Sequence, residues 1–100
     1  MIHEIITRGT TPTQSFELPF DTAEIENLSV TYKVKNTTLL KKYLEDCKFN
    51  TNIINIDLDQ TDTLLFPANK NVEVQIKILT KQNKIFAFGP YRIKIQEIFD

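Results

Sequence analysis

Val72-Glu73-Val74-Gln75-Ile76-Lys77-Ile78 alternates without a break, apolar at every even position and polar at every odd one. Successive side chains of a β-strand point to opposite faces, so this stretch is a strand with one face packed and one face wet. Tyr91-Arg92-Ile93-Lys94-Ile95-Gln96 repeats the pattern, as do Val30-Thr31-Tyr32-Lys33-Val34-Lys35 and Ile54-Asn55-Ile56-Asp57-Leu58. Antiparallel sheets that are solvated on one side produce this signature, and the β-branched residues concentrated in these windows suit it. Val74, Ile76, Ile93 and Ile95 are therefore expected in the core.

Working outward, turn chemistry separates the alternating windows. Gly9 to Pro12, Asn36-Thr37-Thr38, Asn50-Thr51-Asn52 and Lys81-Gln82-Asn83-Lys84 read as turns or hairpin loops. Gly89-Pro90 predicts a bend or bulge ahead of the last alternating run. The strands fall at roughly 2–7, 14–18, 28–35, 39–44, 53–58, 72–80 and 85–98. The 39–44 run also fits a helix through Leu40, Tyr43 and Leu44, and strand is preferred because a hairpin loop precedes it. Asp21 to Leu28 and Asp59 to Phe66 each begin with a capping-type residue followed by apolar residues at helical spacing. They predict single-turn helices crossing between sheets. Together they suggest a weak internal duplication of turn, strand, polar hairpin and strand. About seven short strands with one or two such turns give an all-β, immunoglobulin-like antiparallel β-sandwich, one domain over residues 1–100.

One hundred residues can hold one core, burying about 60–65% of the unfolded chain's surface. A formal net charge of −1 supplies no general attraction to nucleic acid or an anionic membrane, and neither partner is expected. Cys47 is the single cysteine, so no intrachain disulfide is possible. That usage leans toward synthesis in a reducing cytoplasm, and no signal peptide or run of about 20 apolar residues is seen. Neither end reads as a linker, which suggests a complete small protein.

Tests for chemistry return little. His3 is the lone histidine, and acid–base or metal sites need several groups converging. Cys47 has no base beside it and reads as filler. Asp57, Asp59 and Asp62 are spaced like calcium ligands, but the sixth position of such a loop is Asp62 rather than Gly, and the twelfth is Ala68. With two glycines no phosphate-cradling loop can be built. No cofactor, no metal and no catalysis are expected. Arg92 with Lys94, and Lys33 with Lys35, share strand faces and would form a basic stripe beside Phe86, Phe88 and Tyr91, as in single-strand binders. The polar face of a sandwich looks the same.

The N-terminal phrase Thr7-Arg8-Gly9-Thr10-Thr11-Pro12-Thr13, with Phe16, Leu18, Pro19, Phe20 and Asp21, resembles the opening of small tailed-bacteriophage and prophage virion proteins. Asp62-Thr63-Leu64-Leu65-Phe66 ahead of Val72–Ile76 resembles them too, although the Gly89-Pro90 region departs from the pattern. The resemblance implies a β-sandwich virion module: a head decoration, a head-fibre base, or a tail or baseplate part. It would bind other virion proteins such as the major capsid protein, as a homo-oligomer or in many copies. Head is favoured over tail because a stand-alone decoration needs no fused fibre. The alternative is a carbohydrate- or peptide-binding β-module. The expected assembly interface comprises Ile2, Ile5, Ile6, Phe86, Phe88, Tyr91, Ile98 and Phe99. The first three form an N-terminal strand that is apolar on both faces.

Overall fold

The alternating runs are strands in the computed structural model, which describes residues 2–97 and the side chains of residues 4–97. In chain order these are β1 (Ile2–Thr7), β2 (Thr13–Glu17), β3 (Ile25–Val34), β4 (Thr37–Tyr43), β5 (Cys47–Asn50), β6 (Ile53–Asp57), β7 (Asn71–Thr80) and β8 (Ile85–Gln96). One short helix, α1 (Gln60–Leu64), and two 3-10 turns, Thr22–Glu24 and Leu44–Asp46, lie between them. A five-stranded sheet ordered β1-β8-β7-β3-β4 packs on a three-stranded sheet ordered β2-β6-β5. These are the C-F-G and B-E-D groupings of an immunoglobulin sandwich, extended by an edge strand on each side of the larger sheet.

Every chain crossing between the sheets uses a tight polar element. The 3-10 turn at Thr22–Glu24 leads from β2 to β3, and α1 leads from β6 to β7. Asp21 and Asp59 cap them, accepting from the backbone N–H of Ala23 and Asp62. The suspected duplication corresponds to two hairpins, β3–β4 and β7–β8, lying side by side through β3 and β7. The ambiguous run around Leu40 is strand. The chain turns at Leu44–Asp46 into a further strand, β5, which brings the count to eight. Pairing is antiparallel everywhere except at β1, which runs parallel to β8. Strands at opposite ends of the chain, joined through the second sheet, are free of the hairpin constraint that forces antiparallel neighbours.

The core lies between the layers. Val74, Ile76 and Ile95 are fully buried and Ile93 nearly so, as expected, together with Val30, Ile54, Ile56 and Phe66. An immunoglobulin domain joins its layers with a disulfide beside a buried aromatic residue. This chain uses a polar bridge. The hydroxyl of buried Tyr32 on β3 donates to Gln14 Oε1 on β2 at 2.5 Å. Gln14 Nε2 in turn donates to Glu4 Oε1 on β1 at 2.6 Å. Tyr32 also stacks on Phe66, with centroids 5.6 Å apart. At the bulge between Val74 and Ile76 the opposing strand carries Gly89, at φ +103°. A Cβ there would sit 2.7 Å from the Val74 carbonyl oxygen, so only glycine fits.

The Thr7–Thr13 and Asp62–Phe66 phrases meet at one end of the sandwich. Arg8 Nε donates to the Phe66 carbonyl at 2.8 Å, and Nη2 donates to that of Leu64 at 3.1 Å. A cation at the carbonyl end of a helix satisfies groups the helix leaves open. Arg8 Nη1 also reaches Glu97 at 3.1 Å, and the Thr63 hydroxyl donates to the Thr10 carbonyl at 2.8 Å. Gly9 takes φ +76° to turn the chain against Leu64. The Thr7–Thr13 and Asp62–Phe66 phrases thus build one corner, where the chain leaves β1 and where it enters β7.

Candidate assembly surface

One flank of the sandwich is left open by the lengths of its strands. β1 covers β8 from Arg92 to Gln96, so the edge of β8 from Ile85 to Pro90 has no partner strand among the described residues. β2 is the edge of the smaller sheet on this same flank. Register places Tyr91, Phe88 and Phe86 opposite Val74, Ile76 and Ile78, on the inward face of β8. Phe16 and Phe20 follow the same inward alternation as Gln14 and Leu18 around β2.

Layers about 10 Å apart need long side chains to close at a margin, and here rings meet across the gap. Phe16 lies 5.4 Å from Tyr91, Phe20 5.4 Å from Phe86 and 6.2 Å from Phe88, centroid to centroid. Phe86 and Phe88 stack at 6.3 Å and 16°. The seal is incomplete. Phe86 stays 38% exposed. Two shallow cavities flank the seam, about 300 Å³ beside Phe20 and Phe86 and about 270 Å³ beside Phe16 and Tyr91. The Ile85–Pro90 strand edge and the part-exposed ring of Phe86 on one flank form a template for another chain.

The expected interface residues divide. Phe86, Phe88 and Tyr91 come together in the seam. Ile6 is 2% exposed in the chain's own core, which removes it from the expected interface. Ile5 is exposed, but on the outer face of the large sheet, opposite Lys94. Ile2 belongs to β1, its side chain lies outside those described, and Ile98 and Phe99 lie outside the described residues. Phe16 and Phe20, named only within the N-terminal phrase, were not expected at the interface. Their signal was the alternation Gln14, Phe16, Leu18, Phe20, whose rings are bulkier than one edge strand of a small core requires.

The basic stripe beside the aromatic residues is not formed, because Arg92 and Lys94 alternate with inward Tyr91, Ile93 and Ile95. The seam and the cations are on opposite faces of β8. The three aspartates also separate. Asp59 and Asp62 form a reciprocal cap at the start of α1, and Asp62 pairs with Lys42 Nζ at 2.7 Å. Asp57 is exposed, bonded to the Thr13 hydroxyl and paired with Lys48, and the Thr13 bond above all holds its carboxyl below the usual range. Cys47 donates its S–H to the Tyr43 carbonyl at 3.3 Å. Burial, with help from the Asp46 charge, pushes its thiol up to about 11. His3 lies in β1 with its side chain outside those described. Among the described residues no three His, Cys, Asp or Glu side chains are grouped to hold a metal ion, and no helix is long and apolar enough to cross a membrane.

No protein-family model matches this sequence, and no curated protein matches it. Among solved structures the chain is similar to CopC from Methylosinus trichosporium OB3b, with a TM-score of 0.60 over 95% of this chain and 86% of that one. Identity between the two is 11%, so the likeness is one of fold.

Proposed function

We propose that this chain is a non-enzymatic structural protein of a tailed-bacteriophage virion, held in many copies by protein–protein contacts through the open flank. The observation that carries this reading is the seam itself. Two strand edges converge around Phe16, Phe20, Phe86, Phe88 and Tyr91, with Phe86 left partly in water. An extended segment of a partner such as the major capsid protein adds to the Ile85–Pro90 edge and covers the rings, joining main-chain hydrogen bonds to apolar burial. The virion setting rests on the resemblance of Thr7–Thr13 and Asp62–Phe66, and the head is preferred to the tail or baseplate.

Purified particles of a phage carrying the gene test this reading. The chain is expected among the virion proteins in many copies, and Phe86→Ser with Phe88→Ser should fold yet drop out of particles. Absence of the wild-type chain from particles overturns it. The stacked Phe86–Phe88 pair also favours a second reading, a carbohydrate- or peptide-binding module. A glycan array without hits removes its carbohydrate form.

A further inference from the structure

The outer face of the five-stranded sheet has a charge unlike the rest of the molecule. Lys33 and Arg92 flank Glu73 in one cross-strand row, Lys94 lies opposite Asn71, Lys77 opposite Ser29, and Lys41 opposite Thr31. With Lys35 at the β3–β4 turn, this face holds six of the chain's 12 Lys and Arg residues. Among the residues paired in these rows Glu73 is the single acid, in a chain with 13 Asp and Glu. Six cations less one acid leave a local excess of five in a protein of net charge −1. A groove of about 550 Å³ runs along this face, lined by Lys33, Lys35 and Lys41 and by Thr31, Thr38 and Gln75, with Glu73 at its side.

We infer that this face docks an acidic, extended segment of a protein partner. The lysines along the groove complement a row of carboxylates, and the hydroxyl and amide groups between them suit a peptide backbone. A nucleic acid fits less well. Single-strand binders stack bases on aromatic rings, and the groove lining has none, the seam's rings being on the other face of β8. Exposed pairs of this kind act over about a Debye length, so the contact is steered by charge and weakened by salt. The inference rests on a different face from the seam and stands or falls apart from it.

A fluorescent oligoglutamate peptide is the probe, titrated with the full chain at low and at physiological salt. Binding should weaken as salt rises. Combined Lys33→Glu, Lys35→Glu and Lys41→Glu should weaken it by about tenfold or more, equivalent to about 1.4 kcal/mol. Lys48→Glu, Lys81→Glu and Lys84→Glu together make the same change of net charge off this face and should leave it nearly unchanged. Should the first triple variant fail to fold, Lys35→Gln with Lys41→Gln, both exposed, gives the same reading. Equal losses in the two sets, no binding at low salt, or tighter binding of oligo-thymidylate would each overturn the inference.

Discussion

Tyr32 joins the two layers from the centre of the core, and its hydroxyl is the group whose loss is most informative. Tyr32→Phe keeps the ring on Phe66 and leaves Gln14 Oε1, in a residue 1% exposed, without its donor. An unsatisfied buried acceptor costs about 1–3 kcal/mol. Urea unfolding of the variant should show that loss, and a midpoint unchanged at equal slope would contradict the bridge. Cys47 gives a second expectation at this scale. Its thiol titrates near 11 in the folded chain, against an ordinary value of 9.0. The folded state holds this proton more tightly than the unfolded one. The resulting stability is present in full below pH 9 and is lost as pH rises toward 11. Tyr32, whose phenol is raised chiefly by burial, works in the same direction. Iodoacetamide should therefore modify the native protein with a pH midpoint near 11, and a midpoint near 9 would show the thiol to be open to solvent. The sequence identified Tyr32 as inward-facing through alternation. It could not reveal the bridge, because Gln14, Tyr32 and Glu4 lie on three strands whose pairing no local pattern encodes.

At the scale of elements, β1 tests how far the N-terminal strand belongs to its own sandwich. Ile6 faces the core and Ile5 faces water. Ile6→Ala should cost about 2–5 kcal/mol, whereas Ile5→Lys should stay within roughly 0.5 kcal/mol of wild type. Matching losses at both positions would mean that Ile5 is also covered. Strands with a strict period, β7 above all, were legible because one face had to be buried. β5 was not, since Cys47-Lys48-Phe49-Asn50 buries no side chain completely and so shows no apolar face. The 3-10 turn before it was hidden for the same reason, with none of its residues buried. The parallel pairing of β1 was illegible because it depends on the chain crossing to the other sheet at Gly9–Pro12. Arg8, read as part of a phrase, proves to be the clamp on the far end of α1.

For the whole molecule, the sandwich and its inner faces follow from alternation, while the open flank follows from unequal strand lengths. Phe86, Phe88 and Tyr91 were visible as candidates, but Phe16 and Phe20 join them only once β2 is seen to lie across from β8. The central claim is that this flank meets another chain in the particle. A photoreactive benzoylphenylalanine placed at position 86, and separately at position 48 on exposed β5 of the other sheet, tests it most directly in assembled particles. Irradiation should cross-link position 86 to another virion protein and leave position 48 unlinked. Particles that contain the chain yet give no cross-link from position 86, or give one only from position 48, would contradict it.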